Sequence, residues 1–242
     1  MSAALGLVPN LAGAATEFSV PALTGPVVDD AGALSPRTEQ ALTQALRALH
    51  EKGGSQINVL MLSSLEGTPI EQASIRIVDQ WKLGGRKTDN GVLLLVAVKD
   101  RKLRIEVGQG LEGQLTDADS KRIIDQGIVP LLRSGDLDSA VVVGVFQIAQ
   151  KTDPEFDLTP FLEGKARAQR HSPNGIPLRG WVLVVIVILF FILGGGSRGR
   201  RGFYGGGGWG GGGGGFGGGG FGGGTWGGGG GGFSGGGASG DW

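Results

Sequence analysis

Apolar residues recur at helical spacing in some stretches of the chain and run or alternate at strand spacing in others. Ala41, Leu42, Ala45, Leu46, Ala48 and Leu49 mark one face of a first helix. It opens at Ser35 with Pro36 in the first helical position and stops at Gly53-Gly54. Ile57 to Leu62 is short and β-rich, which predicts a strand. Ile70, Ala73, Ile77, Val78 and Trp81 return to helical spacing behind Pro69 and end at Gly84-Gly85. Asp89-Asn90-Gly91 is a turn signal into Val92 to Val98, an apolar run of the kind buried on both faces. Asp100-Arg101 turns into Lys102 to Val107, whose polar and apolar residues alternate, so a half-exposed hairpin partner is expected. A helix from about Asp117, with Ile123, Ile124 and Ile128 on one face, and a last helix from Leu137 to Lys151 complete the series.

This order predicts an α/β fold, a three-layer sandwich with a mixed central sheet covered by helices, over residues 21–151. Residues 152–179 carry Pro154, Pro160, Pro173 and Pro177 and read as a linker. Thirteen uninterrupted apolar residues follow, Trp181 to Leu193. At about 1.5 Å per residue they reach roughly 20 Å, and the glycines on either side bring 180–196 near the lower limit for a transmembrane helix. A buried core element is the alternative. The N-terminal residues 1–15 are small and apolar, with Ala12-Gly13-Ala14 suited to signal peptidase, but no basic region precedes them and Pro9 breaks the run. They read as a truncated signal peptide, with translation starting upstream of Met1.

Composition changes this picture at one end. Of 51 glycines, 19 lie in residues 1–193 and the other 32 in the last 49 residues. Such a tail has too little apolar side chain to offset its ordering entropy, so 197–242 is expected to be low-complexity rather than a second domain. Its aromatics, Phe203, Tyr204, Trp209, Phe216, Phe221, Trp226, Phe233 and Trp242, suit weak multivalent contact, including association between copies, or merely punctuate a tether. If 16–179 is exported and 181–193 spans, the tail is cytoplasmic. Arg198, Arg200 and Arg201 then flank the span, fixing topology or meeting anionic headgroups. Zero formal net charge gives no steering field for nucleic acid, and the lack of cysteine excludes disulfides, thiolate metal sites and thiol nucleophiles.

Asp29, Asp30, Asp89, Asn90, Glu112 and Asp117 fall in loops at element ends, where oxygen ligands suit a hard cation such as calcium. The alternative is that Asp29 and Asp89 make Asx turns and Asp117 caps a helix. Gly108-Gln-Gly-Leu-Glu-Gly113 matches G-x-G-x-x-G but follows a hairpin strand, so a turn allowing close backbone approach is expected rather than a dinucleotide site. The two histidines, His50 in the first helix and His171 in the linker, adjoin no serine motif.

Four separated stretches occur in order: Val27-Val-Asp-Asp-Ala-Gly-Ala-Leu-Ser35, Thr88-Asp-Asn-Gly-Val-Leu-Leu-Leu-Val-Ala-Val98, Ile105-Glu-Val-Gly-Gln-Gly-Leu-Glu-Gly-Gln-Leu-Thr-Asp117, and Gly135-Asp136. Together they resemble the TPM domain, shared by thylakoid-lumen photosystem II repair factors and bacterial YgcG-like proteins. The resemblance implies a membrane-anchored module that binds a divalent metal and a protein partner in complex assembly, repair or envelope maintenance. LemA-like membrane proteins are the partners it suggests, and the bacterial inner membrane the location, with the domain in the periplasm or cell exterior. Two other functions stay open. Some relatives are described as acid phosphatases, for which Arg86 and Lys87 are the nearest phosphate-clamp candidates, and the tail alone would make a self-associating scaffold.

Overall fold

The computed structural model describes residues 18–163 and 226–242. Strand β1 (Val27–Asp29) leads to helix α1 (Pro36–Glu51), β2 (Gln56–Leu62), α2 (Ile70–Trp81), β3 (Gly91–Ala97) and β4 (Lys102–Gly108). After a 3-10 turn at Gln109–Leu111, α3 (Asp117–Arg122) runs through a π-helical segment (Ile123–Ile128) into α4 (Val129–Arg133). Helices α5 (Leu137–Thr152) and α6 (Thr159–Glu163) follow, and a last strand, β5 (Phe233–Asp241), comes from the glycine-rich tail.

The sheet order is β1-β2-β3-β4-β5. β1, β2 and β3 are parallel, and β4 and β5 each run antiparallel to the preceding neighbour. Period-two alternation sends Val59, Met61, Val92, Leu94, Val96, Leu103, Ile105 and Val107 to one face, under α1, the α3–α4 stretch and α5. Leu60, Leu62, Leu93, Leu95 and Ala97 go to the other, under α2 and the N-terminal Phe18. The expected helix-covered mixed sheet is therefore present, and the helix and strand boundaries fall within a few residues of those the periodicity indicates.

β1 and the short helix α6 were not among the predicted elements. β1 has three residues, too few for alternation to register, and α6 lies inside the stretch that reads as a linker. β4 is also not half exposed. Its apolar residues face the larger core, while Arg104 and Glu106, on the opposite face, are 6 % and 0 % exposed.

The larger correction concerns the tail. Residues 233–241 complete the sheet as β5, with 226–232 leading into it, rather than forming a separate low-complexity segment. The entropy argument holds for side-chain burial but omits what a strand obtains from backbone pairing with an open edge. Tail and domain share one sheet, so in this structure they lie on the same side of any membrane, and a cytoplasmic tail beneath an exported domain does not describe it. The segments read as a signal peptide (1–15) and a span (180–196), and the tail aromatics from Phe203 to Phe221, lie outside the described residues. Among the described residues no helix is long and apolar enough to cross a membrane.

A candidate strand-binding groove

The β4 edge lies in a groove between α2 on one face of the sheet and α3 on the other, and the tail fills it. Trp226 anchors the entry. It is 9 % exposed, donates from Nε1 to Asn58 Oδ1 at 3.3 Å, meets the His50 ring edge-on at 5.1 Å and has the Arg47 guanidinium 5.5 Å from its ring centre. The chain then crosses the loop after α2. Gly229, Gly230 and Gly231 donate their N–H groups to the carbonyls of Gly84, Lys82 and Leu83. Arg86 Nε donates to the Gly229 carbonyl at 3.2 Å. A side chain at 228 would collide with the Lys82 carbonyl, so this crossing requires glycine.

β5 then pairs with β4 from Lys102↔Asp241 to Val107↔Gly236, with an irregularity before Gly108↔Phe233. Arg104 stands opposite Ser239, and Glu106 opposite Gly237. The two side chains form a buried ion pair, Arg104 Nε to Glu106 Oε2 at 2.6 Å. Arg104 also donates to Ser239 Oγ at 3.0 Å and to the Gly235 carbonyl at 2.9 Å, so one guanidinium joins the domain to the tail. From α2, Ser74 Oγ donates to Glu106 Oε2 at 2.8 Å, and Glu71 Oε1 accepts from Ser239 Oγ at 2.7 Å. Burial raises the Glu106 carboxyl above the ordinary value, against the opposing pull of Arg104 and Ser74. Its Oε1 is buried with no hydrogen-bond partner. The bond from Ser239 is the main cause that lowers the Glu71 carboxyl.

The structure divides the loop carboxylates singled out from sequence. Asp89 Oδ1 accepts from Gly232 N at 2.6 Å, Asp117 Oδ1 accepts from Gly237 N at 2.6 Å, and Glu112 accepts from the Ser234 hydroxyl. All three therefore receive tail donors along one groove. Asn90 supports the loop, accepting from Gly85 N and Thr88 Oγ1 and donating to the Gly54 carbonyl. Asp29 ends β1 and Asp30 follows it at the other end of the sheet, since Asp29 is in register with Met61, and Met61 with Val96, whereas Asp89 precedes the first residue of β3. Asp29 caps its own loop, accepting from Ala33 N at 3.0 Å and Leu34 N at 2.7 Å, and Asp30 is exposed. Among the described residues no group of three or more acidic or histidine side chains is placed to hold a metal ion. The α3 cap is Thr116, which accepts from Asp119 N, and this leaves the Asp117 carboxylate for the tail.

The first two glycines of the G-x-G-x-x-G match, Gly108 and Gly110, serve close approach, whereas Gly113 faces open space. A side chain at Gly108 would collide with the Asp89 carbonyl, and one at Gly110 with the Thr88 carbonyl, so the loop bearing Asp89 is held against the end of β4. Sequence reasoning missed Arg104, Glu106, Ser74 and Glu71, and read Trp226 only as one of several tail aromatics suited to weak contact. The available signal was Arg104-x-Glu106, opposite charges on one face of a strand paired to a fully apolar neighbour.

Gly237 offers a local test. Its φ is +120°, and an added Cβ would overlap the Ile105 carbonyl oxygen. Gly237→Ala is expected to weaken docking by about 1–3 kcal/mol, seen as amide exchange of β4 faster by roughly one to two orders of magnitude with the core amides unchanged. Unchanged β4 exchange would show that the pairing does not protect this edge.

A family model, TPM_phosphatase, described as the TPM domain, matches residues 27–151, just over half of the chain. Among solved structures, the solution structure of the N-terminal domain of a P. gingivalis protein is 34 % identical, covering 55 % of this chain and 85 % of that one, with a TM-score of 0.51. The N-terminal domain of Corynebacterium glutamicum cg2496 is 19 % identical, covering 58 % of this chain and 91 % of that one, with a TM-score of 0.44. The BA42 protein of Bizionia argentinensis is 20 % identical, covering 52 % and 85 %, with a TM-score of 0.42. No curated protein matches.

Proposed function

Because the chain belongs to the TPM domain family, we propose that it is a protein-binding module whose ligand is a glycine-rich strand, received on β4 and gripped by Asp89, Glu112, Asp117 and Arg104. The observation that carries this reading is the docked tail itself. A sheet edge supplies backbone pairing to any extended chain, and pockets at the ends supply selectivity. Here the selective parts are the Trp226 pocket beside His50 and the close contacts that exclude side chains at 228 and 237.

In this reading the chain acts in assembly, repair or maintenance of envelope complexes, with LemA-like membrane proteins as partners. A divalent cation such as calcium and the strand compete for Asp89, Glu112 and Asp117. Arg86, the nearest candidate for a phosphate clamp, donates instead to a tail carbonyl, which favours strand binding over phosphoester chemistry.

A chain ending at Gly202 should bind a synthetic peptide of residues 226–242 with one-to-one stoichiometry, read by calorimetry. The same peptide with Trp226→Ala should bind at least about tenfold more weakly, the loss expected for a buried aromatic anchor. Absence of binding by the unaltered peptide, to a truncated chain shown to be folded, rules the reading out.

A further inference from the structure

The docked segment has a second copy in the tail, 17 residues upstream. Trp226 and Phe233 are separated by six glycines, and so are Trp209 and Phe216. Aligned on these aromatics, residues 209–225 also place glycine at each position where the groove constrains the ligand. Gly211 matches Gly228, Gly214 matches Gly231, and Gly220 matches Gly237, three positions at which a Cβ would meet domain backbone. Gly213 and Gly218 match Gly230 and Gly235, both at φ +85°. The copies differ at five positions: glycines replace Ser234 and Ser239, which bond through their side chains, and Asp241, while Phe221 and Thr225 replace Ala238 and Trp242, which pack against the larger core.

Each chain therefore has one groove and two consecutive ligands. The second ligand runs directly into the first, so both cannot occupy the same groove. The 226–242 segment keeps the Ser234 and Ser239 bonds and holds its own groove, which leaves 209–225 as the spare. A connection of 62 residues, 164–225, separates α6 from Trp226, and that many residues can span at most roughly 200 Å, so chain length does not prevent contact with a neighbouring domain. We propose that the spare segment 209–225 occupies the β4 groove of a second copy of this chain, in the same register shifted by 17 residues. This linkage rests on the strand-binding reading above. Tethered copies with one groove and two ligands each form chains whose avidity exceeds the single contact.

The absence of cysteine makes the register testable in the full chain. Lys102 and Asp241 are directly opposed and both exposed, and the residue aligned with Asp241 in the upstream copy is Gly224. One tagged copy carries Lys102→Cys, the other Gly224→Cys, and the two are mixed and oxidised. A disulfide-linked heterodimer is expected, in a yield about tenfold above that with Gly223→Cys, whose side chain would face the opposite side of the strand. Trp226→Ala in the Lys102→Cys copy, which loosens its own strand, should raise the yield. Trp209→Ala with Phe216→Ala in the Gly224→Cys copy should abolish it. A heterodimer no more abundant than with Gly223→Cys, or one that survives loss of both aromatics, overturns the proposal. Lys102→Cys and Asp241→Cys placed in one chain provide the control. If that intrachain bond closes while Gly224 fails, only the second ligand is lost. If it also fails, the groove itself is wrong and the linkage falls with it.

Discussion

Ending the chain at Gly202 is expected to leave the domain folded while lowering its stability by about 2–4 kcal/mol, read as an earlier midpoint in urea unfolding. The buried residues of both cores lie outside β5, which adds only the partly buried Phe233 and Ala238, and the N-terminal domain of the P. gingivalis relative was solved by itself. The loss is that of an edge strand together with the Trp226 anchor, which is one large side chain and a row of backbone bonds. The net effect stays modest because ordering a glycine segment costs more conformational entropy than ordering any other, and that cost is returned on truncation. Truncation also leaves β4 with unpaired N–H and C=O groups, so edge-to-edge association is expected to appear at high concentration in light scattering. An unchanged midpoint would mean that the tail rests on the domain without stabilising it.

Arg104→Ala is expected to be the more damaging change, at about 3–5 kcal/mol near neutral pH, because it strands a buried carboxylate. Glu106 is fully buried and already has one oxygen without a partner. Its folded pKa is raised above 4.5, so the stability associated with its protonated form is fully present below the unfolded pKa and is lost as pH rises through the folded one. Removing Arg104 raises that pKa further. The deficit of Arg104→Ala relative to the parent should therefore shrink as pH falls toward 5, and parallel urea curves at pH 5 and 7.5 would show this. Arg104→Met with Glu106→Leu should restore much of the stability but not the docking, since the bonds to Gly235 and Ser239 are gone. A deficit independent of pH would show that the stranded carboxylate is not its cause. Glu71 runs the other way. Its carboxyl is lowered, so the contact with Ser239 contributes above 4.5 and is lost as pH falls through the depressed value.

The two cores were readable because they are written in period. The apolar run of Val92 to Val98 can only be a central strand, and the faces of α1 and α2 repeat at 3.6 residues. The role of Asp89, Glu112 and Asp117 was half legible. Their loop positions mark them as acceptors in want of donors, and a cation is the usual supplier. Here the donors are backbone N–H groups at Gly232 and Gly237 and the hydroxyl of Ser234, more than 100 residues away along the chain. No local pattern connects such partners. Arg104 and Glu106 were misjudged for a related reason: alternation assigns polar residues to solvent, and only the added strand and α2 show that this face is closed. Glycine itself was the strongest misdirection, because its abundance signals lack of structure, whereas at 228 and 237 its missing side chain is what the groove selects.

β5 is joined to the domain across the sheet edge rather than through neighbouring sequence. Any event that draws residues 233–241 away turns β4 from an inner strand into the rim of the sheet. The position of that rim is therefore a two-state signal, set by the tail and legible at the surface without a rearrangement of the helices.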